Sequence, residues 1–204
     1  MRLLLVLLLA ACSGRATADA PTSLAPPLAD NQAEAVFAGG CFWCMEGPFD
    51  KVPGVLETWS GYTGGSERGA TYKEVSYGRT SHLEALRVIY DPSKVKYVEL
   101  LEIFWRNIDP TQDDGQFCDK GPHYRSAIFT SNVAEVAAAK ASRQAVAEKL
   151  NKPVVTEIRP MSDFWLAEDY HQDFYQKNPA HYLRYRTGCG RDRRLEQLWG
   201  PARH

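Results

Sequence analysis

None of the 204 residues lies in an apolar run long enough for a permanent membrane-spanning helix, which needs about 20. The longest such run, Leu3 to Ala11, stops at Cys12. Charge of neither sign predominates: 24 Lys and Arg face 25 Asp and Glu, a net −1, so the bulk charge offers nothing to nucleic acid. The C-terminal stretch is locally basic, with Arg184, Arg186, Arg191, Arg193, Arg194 and Arg203 against Asp192 and Glu196. Without regularly spaced aromatic residues it reads as a solvated face. There is no internal repeat and no sustained heptad pattern, which leaves a monomer as the expectation.

A metal or cofactor also lacks its pattern, and none is expected. Cys41 and Cys44 form a C-x-x-C with no second pair and no closely spaced histidines to complete a zinc site. His171 and His181 fit no common ligand spacing and read as structural or surface residues. The loop with Asp109, Asp113, Asp114 and Asp119 fails the calcium pattern, because Pro110 and Gln112 stand where its first and third carboxylates belong. Gly61-Tyr62-Thr63-Gly64-Gly65 lacks the Lys-Ser/Thr of a phosphate loop.

What is present begins with an export signal, Arg2 followed by the apolar run. Leu9-Ala10-Ala11-Cys12 has the form of a bacterial lipobox. The expectation is a signal peptide over 1–11, lipid on Cys12, and a protein anchored on the periplasmic side of the envelope, with Ser13 after the anchor suggesting the outer membrane. The alternative is a cut after Ala18-Asp19-Ala20 and a soluble periplasmic protein. Residues 12–33, mostly Ala, Pro, Thr, Ser and Asp, read as a flexible tether. Residues 34–200 make one domain of ordinary size, and 201–204 a tail.

Within the domain, Glu34 to Ala38, Val55 to Tyr62, Leu83 to Tyr90 and Val154 to Ile158 read as strands. Tyr97, Leu101, Phe104, Trp105 and Ile108 recur at helical spacing, and a second helix is expected over Val133 to Leu150, capped by Asn132. Strands and helices that do not alternate strictly argue for an α+β fold.

Everything centres on Gly39-Gly40-Cys41-Phe42-Trp43-Cys44-Met45. A strand precedes it and a short helix is expected after it, so Cys41 falls at a helix N-terminus, where free N–H groups and the helix dipole favour a thiolate. Cys41 is therefore the candidate nucleophile, with Phe42 and Trp43 as aromatic walls suited to a methyl or thioether group. The alternatives are a buried structural cysteine or a thioredoxin-like dithiol. Glu84 shares a strand face with Leu86, Val88 and Tyr90. Burial there would hold it protonated as a proton donor, whereas at the surface it would pair with a base such as Arg87. Cys118 and Cys189 complete the set with Cys41 and Cys44 once Cys12 is assigned to lipid. They offer either structural disulfides or a redox relay, and Cys189 lies in the glycine-flanked Gly188-Cys189-Gly190, which suggests mobility.

Gly40-Cys41-Phe42-Trp43, Gly61 to Gly65, Thr71-Tyr72-x-Glu74-Val75, His82-x-Glu84-Ala85, Asp109-Pro110, Asp119-x-Gly121-x-x-Tyr124-Arg125-Ser126 and Ala167 to Gln172 resemble, in order, the A-type peptide methionine sulfoxide reductases. The resemblance spans roughly residues 34 to 200. It implies a two-layer α+β sandwich with a ferredoxin-like core and a long coiled C-terminal excursion. It also implies reduction of the S epimer of methionine sulfoxide, free or in peptides, with Cys41 as nucleophile and Glu84 as proton donor. Tyr72 and Tyr124 would bind the sulfoxide oxygen, Phe42 and Trp43 would cage the methyl group, and Asp119 would line the site. A sulfenic acid on Cys41 would be resolved by a second thiol, with Cys189, Cys44 and Cys118 as candidates in that order, and a thioredoxin-like partner would reduce the disulfide. Cys44 stands where many members of the family have glycine. The competing functions are a general dithiol oxidoreductase using Cys41 and Cys44, and a non-catalytic envelope lipoprotein.

Overall fold

The computed structural model describes residues 23–201. The expected signal peptide, Cys12 and the first part of the tether lie outside the described residues. Strands β1 (Ala33–Ala38), β2 (Val55–Thr63), β3 (Leu83–Tyr90), β4 (Gly115–Gln116), β5 (Asp119–Lys120), β6 (Ala127–Thr130), β7 (Glu157–Pro160) and β8 (Trp165–Leu166) alternate irregularly with helices α1 (Trp43–Asp50), α2 (Tyr72–Ser76), α3 (Tyr97–Arg106), α4 (Val133–Leu150), α5 (Phe174–Lys177), α6 (Pro179–Gly188) and α7 (Arg191–Trp199). Six strands form one sheet in the order β7-β6-β1-β3-β2-β8, while β4 and β5 form a separate pair. Neighbours in the sheet are antiparallel except β6 and β7, which run parallel. This is a mixed α+β fold.

Both faces of the sheet are covered, so all eight residues of β3 are buried. One face turns Phe37, Leu86 and Val88 toward the helices, where they pack with Met45, Phe49, Leu100 and Phe104. The apolar positions of α3 that meet them, Leu100, Leu101, Phe104 and Trp105, follow the helical period. The opposite face carries Val36, Ala38, Leu83 and Phe129 and is closed by Phe164. At Gly61 that closure is tight: a Cβ there would lie 2.3 Å from the Trp165 carbonyl oxygen. The Asn132 side chain accepts from Glu135 N–H at 2.9 Å and starts α4 as its spacing predicts. Among the described residues no helix is long and apolar enough to cross a membrane.

Three expectations differ from the structure. The strand expected over Val154 to Ile158 begins at Glu157, because Val155 N–H is drawn instead to the Pro110 carbonyl at 2.8 Å. Residues 23–26, assigned by composition to the tether, lie along the sheet edge: Ala25 N–H donates to Phe164 O at 2.9 Å and Leu166 N–H to Ser23 O at 2.8 Å. The C-terminal stretch expected as coil is largely helical. Pro179 opens α6 at a position that needs no N–H donor, and Gly190, at φ +69°, turns the chain from α6 into α7. The glycines around Cys189 make a helix-to-helix corner, and α7 is pinned by Arg194 Nε donating to Asp109 Oδ2 at 2.7 Å.

Candidate active site

β1 leads directly into the cysteine turn. Neither glycine after it admits a side chain: a Cβ on Gly39 would lie 2.5 Å from Met45 Sδ, and Gly40 has φ +80° with Gln116 packed against it. Cys41 follows, Phe42 is the cap residue of α1, and Cys44 lies in the first turn with its N–H donating to Cys41 O at 3.0 Å. Phe42 N–H donates to Glu84 Oε2 at 3.2 Å, which ties the turn to the start of β3.

The helix-start position predicts a thiolate at Cys41, and the surroundings reverse it. Burial pushes the Cys41 thiol well above the ordinary range, and its hydrogen bond to Cys44 and the Glu84 charge add to the rise. Cys44 is the acidic thiol. The hydrogen bond from Cys41 draws it down to about 6, assisted by Arg191 and Arg186 against its own burial. The two thiols titrate as a coupled pair, one giving up its proton more readily than an ordinary thiol and the other less.

Glu84 is 1% exposed and does not pair with Arg87, whose guanidinium donates to Glu34 Oε2 at 2.6 Å and to the Pro26 carbonyl at 2.7 Å. Burial raises the Glu84 carboxyl to about 8, with the charges of Asp119 and Cys44 adding, so it carries a proton at neutral pH. Tyr124 lies near Glu84 and Tyr72. Burial lifts the Tyr72 phenol to about 12 and Tyr124 higher still, so both remain neutral donors.

Phe42 is buried against Tyr62 and His171, with ring centroids 5.9 and 5.0 Å away. Trp43 is half-buried. Its indole stacks on Phe174 at 3.6 Å and its Nε1 donates to His171 Nδ1 at 3.0 Å. Burial lowers His171 to about 4, so the imidazole is neutral and free to accept that bond. Asp119, on β5, accepts from the Tyr185 hydroxyl at 2.5 Å.

The three thiols expected to compete for resolution fall into two classes. Cys118 and Cys189 are joined in a disulfide across 71 residues, while Cys44 is free and beside Cys41. Cys118, Asp119 and Cys189 cluster closely enough to suggest metal ligands, but the bonded sulfurs offer no thiolate. A surface groove lined by Val95, Ile103, Leu195 and Trp199 contains none of the cysteines.

A family model described as peptide methionine sulfoxide reductase matches residues 33–203. The chain belongs to this family. It is 48% identical to the peptide methionine sulfoxide reductase MsrA 2 of Caulobacter vibrioides over 96% of this chain and 98% of that one. It is 50% identical to the MsrA of Bacillus subtilis over 81% and 95%. Among solved structures, methionine sulfoxide reductase A of Corynebacterium diphtheriae superposes with a TM-score of 0.71 at 34% identity, covering 74% of this chain and 77% of that one.

Sequence reasoning overlooked several residues of this reductase-family site. His171, set aside as structural or surface, is buried and holds Trp43. Glu168 accepts from the Tyr62 hydroxyl and from Tyr72 N–H, both at 2.8 Å. Both residues lie in the quoted Ala167 to Gln172 motif, which was the available signal. Arg191, read as part of a solvated basic face, is 1% exposed, and its Nη2 donates to Gly39 O at 3.0 Å and Asn107 O at 2.8 Å. Nothing in a run of arginines distinguishes the one that turns inward.

Proposed function

We propose that this chain reduces the S epimer of methionine sulfoxide, free or in peptides, with Cys41 as nucleophile and Glu84 as proton donor. The observation that carries the reading is a cysteine turn bonded through Phe42 N–H to a buried, protonated Glu84, with no basic partner to neutralise that acid. Trp43 and Phe42 receive the methyl group, Tyr72 and Tyr124 hold the sulfoxide oxygen, and Asp119 lines the site.

Cys41 passes its proton to the Cys44 thiolate and attacks the sulfoxide sulfur while the oxygen takes the Glu84 proton. Methionine leaves, and Cys41 carries the oxygen as a sulfenic acid. Cys44 then attacks the Cys41 sulfur, its proton joins the departing hydroxyl as water, and a Cys41–Cys44 disulfide remains. Cys44 takes precedence over Cys189 because it is free and lies one turn from Cys41, its N–H donating to the Cys41 carbonyl at 3.0 Å. A thioredoxin-like dithiol, which exchanges with such a disulfide, completes the cycle.

The test is single-turnover reduction of a methionine-S-sulfoxide peptide without recycling reductant, followed by mass mapping. One methionine per protein with a Cys41–Cys44 disulfide supports the reading; intact thiols and no methionine overturn it. A general dithiol oxidoreductase using the same pair is the second reading, favoured by the acidic Cys44. It requires Cys44 and is indifferent to Glu84→Gln.

The lipobox-like Leu9-Ala10-Ala11-Cys12 supports placing the enzyme on the periplasmic side of the envelope with lipid on Cys12. Mass analysis of the mature N-terminus tests this, since a free N-terminus after Ala20 would mean a soluble periplasmic form instead.

A further inference from the structure

Helix α1 turns one face toward residues 171–175, carrying Trp43, Glu46 and Asp50 at i, i+3 and i+7. Trp43 is the residue that lies flat on Phe174 and donates to His171. Asp50 Oδ2 accepts from the Tyr175 hydroxyl at 2.8 Å. Between them Glu46 is 1% exposed, an acid that no step of the proposed chemistry uses. Its Oε1 accepts from the Ser60 hydroxyl at 2.9 Å and from Asp173 N–H at 3.3 Å, while its Oε2 is buried with no hydrogen-bond partner among the described residues.

Burying a carboxyl is costly, and here its bonds close a ring. Gln172, next to Asp173, accepts from Ser60 N–H and donates to Ser60 O, both at 2.9 Å. Ser60 is thus held by Gln172 at its backbone and by Glu46 at its hydroxyl. The corner in this ring is Asp173, at φ +53° and ψ 31°, a left-handed conformation that a residue with a side chain keeps only where its surroundings hold it. His171 lies two residues before the corner and Phe174 one after, and these are the two groups that hold the Trp43 indole.

We propose that Glu46 is a positioning residue for the methyl-binding wall: by accepting from Asp173 N–H and the Ser60 hydroxyl it holds the Asp173 corner, and the corner holds His171 and Phe174 against Trp43. The inference rests on the reductase reading. Among the described residues Glu46 bonds through its side chain to Ser60 and Asp173 and not to Cys41 or Glu84, so its effect falls on binding of the sulfoxide rather than on the attack. Burial raises its carboxyl to about 7 against those two bonds, with the charges of Asp50 and Asp173 adding, so near neutral pH both forms are present and Oε1 accepts in each. Glutamine, which keeps one acceptor oxygen, should therefore stand in for it.

In single turnover without recycling reductant, the sulfoxide concentration that gives half the maximal rate reads binding, and the maximal rate reads chemistry. Glu46→Leu keeps the bulk and removes both acceptors. It is expected to raise the half-saturating concentration of a methionine-S-sulfoxide peptide about 10-fold, the value of a lost hydrogen bond to a charged group, with the maximal rate within about twofold. Glu46→Gln is expected to stay within about threefold of the wild type in both, and Ser60→Ala to raise half-saturation about threefold. The wall is also read without turnover. The Trp43 indole N–H resonance, assigned by its loss in Trp43→Phe, should shift in Glu46→Leu and keep its place in Glu46→Gln.

Wild-type half-saturation and an unmoved Trp43 resonance in Glu46→Leu overturn the proposal. A maximal rate that falls while half-saturation holds also overturns it, by putting Glu46 on the chemistry, and so does a Glu46→Gln protein as impaired as Glu46→Leu. Should Glu46→Leu fail to fold, Ser60→Ala leaves α1 whole and carries the same test, an unchanged half-saturation and resonance again overturning the role. Failure of the wild-type protein to form methionine, with the Trp43 resonance moving as expected, would count against the reductase reading alone.

Discussion

The molecule holds two cysteine pairs built on opposite plans. Cys41 and Cys44 are three residues apart, buried and unbonded, and placed by one turn of local structure. Cys118 and Cys189 are 71 residues apart, joined, and nearer the surface, Cys118 being exposed and Cys189 half-buried. The inner pair titrates together in surroundings that hold one thiol neutral and draw the other down to about 6, a state ready for chemistry. The outer pair has spent its thiols on a cross-link between a loop and a helix. Position in the fold, rather than residue type, decides whether a cysteine is a reagent or a fastener.

Serine at Cys41 should break the inner pair most completely, abolishing single-turnover methionine formation by more than about 1,000-fold while leaving the outer disulfide intact by mass mapping. Next, Glu84→Gln should slow the same step about 100- to 10,000-fold, the usual range for a lost proton donor. The accompanying pH dependence has a definite sign. Glu84 donates only while protonated and its carboxyl is raised to about 8, so the wild-type rate should fall as pH rises through that value, and it should fall also below about pH 6, where the Cys44 thiolate that takes the Cys41 proton is itself protonated. In Glu84→Gln that alkaline fall should vanish, and a rate that instead rose through pH 8 would show that the acid is not Glu84.

For the outer pair the larger readout is stability. Closing a loop of 71 residues should contribute about 4 kcal/mol through the entropy of the unfolded chain, measured as the difference in denaturant unfolding between the oxidised protein and Cys118→Ser with Cys189→Ser. Smallest of all, Lys120→Ala removes an ion pair to Asp114 in which both side chains are more than half exposed. It should change stability by under about 1 kcal/mol and leave methionine formation unaltered, which would separate effects of the outer disulfide from effects of its charged neighbours.

The same contrast explains what could be read in the sequence. Leu83 to Tyr90 and Val133 to Leu150 announce themselves because their patterns are local: a continuous buried run in one, a cap three residues before the N–H it accepts from in the other. The cysteine turn and the family resemblance are legible for the same reason, while the strand pattern around Glu84 leaves a buried acid and a surface ion pair equally open. The pairing of Cys118 with Cys189, the inward turn of Arg191 and the bond of Tyr185 to Asp119 arise only when distant segments meet, and single-sequence periodicity is blind to that. Composition misled in two places. Proline and alanine before β1 suggest slack chain, yet residues 23–26 add backbone hydrogen bonds to the sheet edge. Glycines around Cys189 suggest mobility, yet Gly190 serves a fixed positive φ between two helices.

The burial of Met45 places one of the chain's own methionines beyond the damage the family repairs. The sequence has three methionines, and Met45 is fully buried beneath the cysteine turn. Its Sδ accepts from Arg191 Nη2 at 3.2 Å, and Gly39 sits so close that even a Cβ there would lie 2.5 Å from it. A sulfoxide oxygen needs volume beside sulfur, and here the backbone and the guanidinium have taken it. An oxidant that reached the site would find the Cys41 and Cys44 sulfurs, which turnover restores, before the one sulfur underneath them that no partner could reach to mend.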